Sequence, residues 1–254
     1  MDRPCPGRAA LLQFSRMRYT VLADIHGNLE ALQAVLEHAQ AQGKIDEVWC
    51  LGDTVGYGPD PGACLETLRR YPHTAVAGNH DWAATGKVRT EDFNPDAAAA
   101  VQWTGQHLSP EDIHYLEDLP LQVVRGEFTL VHGSPRHPIW EYLFSAAEAG
   151  DSFPLFTTPY CLVGHSHVPI LFRQGQEEGP LPLSLSLGEE RLIINPGGVG
   201  QPRDGDPRAS YAIYDGDSRT LHRFRVPYDL ELTQSEMMEQ GLPLKLSVRL
   251  GLGL

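Results

Sequence analysis

Apolar and polar positions change period along the chain in a repeating way. Tyr19–Ala23 is a short apolar run that stops at Asp24, and Leu29, Leu32, Val35 and Leu36 then recur at helical spacing behind Asn28, a favourable N-cap. Ile45 to Leu51 is the next apolar run, closed by Gly52-Asp53, and Pro61 to Arg70 reads as a helix with proline in its first turn. Thr74–Ala77 makes a third strand before Gly78-Asn79-His80-Asp81. Strands alternating with helices predict βαβ units and a largely parallel sheet.

The middle of the chain is helical over Asn94 to His107 and again after Ser109-Pro-Glu-Asp112, a capped start with acidic residues in its first turn. Strands return at Leu121–Arg125 and Phe128–His132, split by a Gly126-Glu127 turn, then at Tyr160–Val163 and Pro169–Phe172. From Pro180 the pattern is short and strand-like, with Arg191–Ile194, Ala209–Tyr214 and Thr220–Val226 bounded by Gly, Pro or Asp. The stretch from Asp229 reads as two short helices split at Gly241-Leu-Pro243. No repeat or linker interrupts residues 17–254, which are expected to form one domain behind a disordered extension over 1–16.

Composition narrows the function. With 254 residues, 41% hydrophobic and 21% charged, the chain has ordinary globular make-up. Its 20 Lys plus Arg against 33 Asp plus Glu leave a formal charge of −13. That balance argues against duplex nucleic acid or an anionic membrane as partner, since both are held by basic surfaces. No apolar run approaches the roughly 18 residues of a membrane span. Cys5, Cys50, Cys64 and Cys161 form no CxxC pair, so they are expected to be free thiols of a cytoplasmic protein.

The informative pattern is where the nitrogen and oxygen donors fall. Asp24, His26, Asp53, Asn79, His80, His132, His165 and His167 all lie just beyond apolar strands, in five separate segments. The crevice outside the carboxyl ends of strands is where open α/β sheets bind ligands. His165 and His167, two residues apart in an extended segment, point the same way. Imidazole, carboxylate and one amide, with no thiolate, suit Mn²⁺, Fe, Zn²⁺ or Ni²⁺. Asp24, His26, Asp53, Asn79, His132, His165 and His167 are too many donors for one tetrahedral zinc. They fit two cations about 3.5–4 Å apart sharing a carboxylate, an arrangement used for displacement at phosphorus. Two divalent cations against two carboxylates leave local positive charge, so even this acidic chain attracts a phosphate ester.

In order, DxH, GDxxxYG, GNHD, VHG and GHSH resemble the calcineurin-like metallophosphoesterase superfamily, and within it the small bacterial single-domain type. The resemblance runs from about Tyr19 to Arg203. It implies a four-layer α/β/β/α sandwich of two mixed β-sheets with a dinuclear metal site at one edge. Carried over, Asp24, His26 and His167 hold one metal, Asn79, His132 and His165 the other, and Asp53 bridges. The metals implied are two divalent ions, Mn²⁺ foremost. His80 takes the place of the family's catalytic histidine, and Asp81 is expected to hydrogen-bond its imidazole.

The implied activity is hydrolysis of a phosphodiester or phosphomonoester, with a small phosphoester, such as a nucleotide, as substrate. Protein Ser/Thr phosphatase, dinucleoside-polyphosphate hydrolase and a metal-bound, non-catalytic binding scaffold are the alternatives. A β-lactamase-like dinuclear hydrolase would need HxHxDH, and Val168-Pro169 after His167 break that pattern. Tyr57 and Arg203 are the candidate substrate contacts. Trp140, Tyr142 and Phe144 are read first as an apolar patch packed beneath a loop, and second as a wall for a base or aryl group. Asn195-Pro-Gly-Gly-Val-Gly200, with Gly198 where the family usually has Ser, is read as a buried turn.

Overall fold

The structure is a computed structural model that describes residues 17–254, so the extension expected over 1–16 lies outside the described residues. In chain order the strands are β1 (Arg18–Leu22), β2 (Glu47–Cys50), β3 (His73–Ala75), β4 (Gln122–Arg125), β5 (Phe128–Val131), β6 (Tyr160–Leu162), β7 (Pro169–Arg173), β8 (Gly179–Pro180), β9 (Ser184–Ser186), β10 (Leu192–Pro196), β11 (Ala209–Asp215) and β12 (Thr220–Val226). The helices are α1 (Leu29–Ala41), α2 (Pro61–Arg69), α3 (Asn79–Ala84), α4 (Pro95–His107), α5 (Pro110–Glu117), α6 (Ala146–Ser152), α7 (Leu230–Glu239) and α8 (Leu244–Leu250).

Local chemistry sets the helix starts. The Asn28 side chain accepts the Ala31 N–H at 3.0 Å, and Ser109 and Asp112 cap α5 reciprocally. Asn94 caps α4 ahead of Pro95, and Asp229 caps α7 by accepting the Leu232 N–H. Along α1, Ala31, Leu32, Val35, Leu36 and Ala39 form the buried stripe that the sequence periodicity marks.

Two six-stranded mixed sheets result, ordered β3-β2-β1-β11-β12-β9 and β4-β5-β6-β10-β7-β8. In the first, β1, β2 and β3 run parallel, as expected for βαβ units crossing over through α1 and α2. In the second, β5, β6 and β10 run parallel. Side-chain alternation then builds the layers. Tyr19, Val21, Trp49 and Leu51 point between the sheets, where they meet Phe128, Leu130, Leu162 and Ile194. Trp49 is fully buried there and stacks on Tyr19 at a ring distance of 4.2 Å. Leu22, Val48 and Cys50 face the other way, into α1 and α2. Beyond the second sheet, Val131, Cys161, Phe172 and Ile193 are covered by Ala149 of α6 and by Phe153 and Phe156. Helices thus cover both outer faces, giving the four-layer α/β/β/α sandwich.

Two helices carry no sequence expectation: Ala146–Ser152, and the short α3 that opens behind Gly78, where the Asp81 carboxylate reaches back to the Gly78 N–H at 2.9 Å and closes the first turn. Cys50, Cys64 and Cys161 are free and buried, as expected. Among the described residues no helix is long and apolar enough to cross a membrane.

Candidate metal centre

The site forms where the parallel strands of both sheets end. β1 runs out into Asp24 and His26, β2 into Asp53, β3 into Asn79 and His80, β5 into His132, and β6 into His165 and His167. Backbone bonds lock these loops together. Asp24 N–H donates to the Gly52 carbonyl, His26 N–H to that of Asp53, and Gly164 N–H to that of His132. The conformation is unusual. Asp24, His26, Asp53, Tyr57, His165 and His167 all have φ between 51° and 65°, in the left-handed region. Among the described residues Arg219 is the one other non-glycine there. Each such residue costs on the order of 1 kcal/mol, and strain gathered on one loop set marks a functional site.

The left-handed turns aim the side chains inward. Asp53 Oδ1 accepts the His80 N–H at 2.9 Å, while Oδ2 lies 3.6 Å from His26 Nε2 and 3.3 Å from His132 Nε2. Asp24 Oδ1 accepts the His165 N–H at 3.0 Å and sits 3.4 Å from His167 Nε2. Two clusters result, Asp24–His26–His167 and Asp53–His132–His165, joined by a third group, His26–Asp53–His80, with ligand atoms in each no more than 4.8 Å apart.

The imidazoles show what the clusters fit. His26, His132 and His167 each donate Nδ1–H to a backbone carbonyl, of Val55, Leu51 and Gln201 respectively. His165 instead directs Nε2 to the Trp140 carbonyl at 3.3 Å. The remaining nitrogens are therefore lone-pair donors, and they face one another. His26 Nε2 and His167 Nε2 are 3.2 Å apart, and His132 Nε2 and His165 Nδ1 are 3.0 Å apart. Opposed lone pairs need a cation or a proton between them, and carbonyl-anchored imidazoles are how proteins present metal ligands. Asp24 Oδ2, Asp53 Oδ2 and Asn79 Oδ1 are also buried without a hydrogen-bond partner. The donor set thus fits two divalent cations, with Asp53 placed between the clusters.

The electrostatics of the centre follow from that crowding. Burial holds His26, His165 and His167 well below the ordinary imidazole value, so they are neutral donors at pH 7. Burial would lower His132 too, but the Asp53 and Asp24 carboxylates raise it to about 9, so without cations a proton sits on its Nε2, in the place a cation would take. Burial and the neighbouring Asp53 push Asp24 up to about 7, despite the nearby His132. Burial would raise Asp53, yet the charges of His132 and His80 keep it well below the carboxylate range.

One expected contact is corrected. Asp81 does not hold the His80 imidazole. Its oxygens accept the backbone N–H groups of Gly78 at 2.9 Å, Asp53 at 2.8 Å and Val55 at 3.1 Å, which leaves His80 Nδ1 without a partner. Helix geometry is the reason, because an N3 carboxylate folds back toward its own N-terminus. His80 is instead packed among rings, with Tyr57, His26 and Phe93 centred 4.3, 4.8 and 4.9 Å away.

A cleft of about 370 Å³ opens beside the centre, lined among others by Asn79, His80, Phe93, Trp140, Tyr142 and His165. Trp140 and Tyr142 are 40% and 42% exposed, which overturns the reading of a patch buried beneath a loop. Tyr142 stacks on His165 at 3.8 Å, and Phe93 meets Trp140 edge-on at 5.8 Å. Phe93 carried no sequence signal, since it sits in an irregular stretch between α3 and α4. Arg203 lies at the site, its guanidinium 5.9 Å from the Tyr57 ring centre. The Asn195 side chain bonds the Gly164 carbonyl, Ser166 Oγ and the Gly197 N–H, so this segment is a buried clasp for the His165–His167 loop.

Comparison with known proteins agrees with this geometry. Residues 17–219 match the family model of the calcineurin-like phosphoesterase superfamily domain, and the chain belongs to that family. The crystal structure of a metallophosphoesterase from Sphaerobacter thermophilus superimposes with a TM-score of 0.86 at 46% identity, covering 94% of this chain and 100% of that one. An uncharacterized protein of Methanocaldococcus jannaschii is 40% identical over 242 residues, 92% of this chain and 97% of its own length. A symmetrical bis(5'-nucleosyl)-tetraphosphatase of Erwinia tasmaniensis is 30% identical over 153 residues, and the match spans about half of each chain, 54% in both cases.

Proposed function

We propose that the chain is a dinuclear phosphoesterase that hydrolyses the ester of a small, nucleotide-type substrate. The observation that carries this is the pair of facing imidazole lone pairs flanking Asp53 Oδ2. Asp24, His26, Asp53 and His167 would hold one divalent cation, and Asp53, Asn79, His132 and His165 the other. Bound there, two such cations supply Lewis acidity for in-line displacement at phosphorus.

The chain's own residues do the rest. His80, on the cleft wall beside Asn79, is placed to give a proton to the departing ester oxygen. Burial pulls His80 down to about 4, although Asp53 works in the opposite sense, so its acid form depends on the negative charge that a phosphate ester brings. Arg203 steadies the phosphoryl oxygens, and Tyr57 packs beneath both groups. Because some relatives are named tetraphosphatases, dinucleoside-polyphosphate hydrolysis is the second reading.

The test is turnover of bis-p-nitrophenyl phosphate and p-nitrophenyl phosphate with added Mn²⁺, Ni²⁺, Zn²⁺ or Mg²⁺, abolished by EDTA. His80→Ala should lower kcat about 10²–10⁴-fold for an alkyl ester, whose leaving oxygen needs a proton, and far less for a nitrophenyl ester. Equal losses on both would remove His80 from the proton-donor role. Absence of turnover with every metal would leave a binding scaffold.

A further inference from the structure

Nearly all the rings of this chain are buried or half-buried. Among the described residues three aromatic side chains are exposed, Trp140, Tyr142 and Phe144, and they share one short stretch of chain. Apolar residues scattered singly over a surface need no explanation, but ring surface gathered in one place marks a contact site. The stretch is braced rather than loose. Leu143 is buried in the cluster with Val131 and Phe153, Glu141 pairs with Arg136 and accepts the Ser134 hydroxyl, and the Trp140 carbonyl accepts from His165 Nε2. Rings on such a segment are in place before a ligand arrives, which spares the cost of ordering them.

Trp140 and Tyr142 line the cleft beside the metal centre together with Phe93. Tyr142 lies flat on the His165 imidazole, 3.8 Å between ring centres. Phe93 meets His80 edge-on at 4.9 Å and Trp140 at 5.8 Å. The ring wall therefore starts directly against His80 and His165, within reach of a group esterified to a phosphate at the centre. Its charges point the same way. Among the described residues lining the cleft there is no Lys or Arg, and the one carboxylate is that of Asp92. A second phosphate would meet no cation there and one like charge, whereas a flat, uncharged ring meets stacking partners. At about 370 Å³ the cleft has the size of a small-molecule site.

We propose that Trp140, with Phe93 and Tyr142, binds a flat, uncharged aromatic group of the substrate, a nucleobase carried by the esterified alcohol, and so selects nucleotide esters over esters of aliphatic alcohols. This rests on the phosphoesterase reading and names the part of the substrate that the metal centre does not hold. Stacking is tolerant of base identity, since every base has a π-face, so adenine and thymine both serve as probes.

The experiment compares the full-length, metal-loaded protein with Trp140→Ala and Trp140→Phe. Trp140 is the position to change because its one described ring contact is with Phe93, whereas Tyr142 rests on His165. The substrates are the methyl ester of thymidine 5'-monophosphate and the methyl ester of glycerol 3-phosphate, two singly charged diesters of which only the first carries a ring, with products separated by chromatography. For Trp140→Ala, kcat/KM on the thymidine ester should fall about 5–100-fold, mainly through KM, with less than about a threefold change on the glycerol ester. Trp140→Phe, which keeps a flat ring, should recover most of the loss. Equal losses on both esters, or none on the thymidine ester, would overturn the proposal.

A binding measurement separates this from failure of the phosphoesterase reading. The phosphonate analogue of adenosine 5'-monophosphate, whose C–P bond is not hydrolysed, should bind in titration calorimetry at least about tenfold more tightly than methylphosphonate, and Trp140→Ala should remove most of that advantage. A protein that turns over neither ester but binds the nucleoside phosphonate through Trp140 would refute the phosphoesterase reading alone. No advantage over methylphosphonate, or one indifferent to Trp140, would refute the ring assignment. Thermal melts check folding, and should Trp140→Ala not fold, Trp140→Leu, which keeps apolar bulk without a flat ring, takes its place.

Discussion

With both carboxylate oxygens taken by backbone N–H groups of Gly78, Asp53 and Val55, Asp81 fixes the floor on which Asp53, the proposed bridge, stands. Asp81 is fully buried, and that burial together with the Asp53 charge pushes its pKa up to about 7. Asp81→Ala would strand three buried donors, at about 1–3 kcal/mol each. The expected outcome is a loss of about 3–9 kcal/mol in urea unfolding, a large share of an ordinary domain's stability. A loss below about 1 kcal/mol would mean that the backbone finds other partners. The residue type was legible in GNHD, but its target was not. Sequence places Asp81 beside His80 along the chain, whereas the first turn of α3 sends its side chain back toward Gly78 and the Asp53–Val55 loop.

At the level of elements, what could be read was local. The N-caps Asn28 and Ser109, the first-turn prolines and the alternation through β3 depend on neighbours a few residues away. The antiparallel pairing of β1 with β11, which sets Arg18 opposite Asp215, has no local signature, and neither does Phe93 in the cleft wall. The left-handed turns were hidden for another reason, since Asp24, His26, Tyr57, His165 and His167 are not residue types that announce positive φ as glycine does. Where α3 begins, a glycine is required by space. A Cβ on Gly78 would stand 2.0 Å from Asp53 Oδ1 and 2.4 Å from its backbone nitrogen. Gly78→Ala should therefore displace the Asp53 carboxylate, and if that group bridges as proposed, elemental analysis should find fewer than two divalent ions bound per chain. A variant that keeps both metals would show that the α3 start moves freely of the Asp53 loop.

Over the whole molecule, the centre ties the two sheets together, because Asp24, His26, Asp53 and Asn79 come from the first and His132, His165 and His167 from the second. Those seven residues are all buried, and several carry polar atoms with no partner in the protein. Desolvated carboxylates and opposed lone pairs destabilise the folded chain until cations satisfy them, and the unfolded chain presents no such preformed cluster. Metal binding must then appear as folding stability. One site at a hundredfold excess over its dissociation constant contributes about 2.7 kcal/mol. For a domain of this size that raises the melting temperature by about 5–10 °C, and filling both sites raises it further. Melting after EDTA treatment, then with Mn²⁺ or Zn²⁺ restored, measures the difference directly. Asp53→Asn should abolish most of the increment, since one carboxylate serves both clusters. Equal melting temperatures with and without metal would mean that protons, not cations, fill the space between the paired imidazoles.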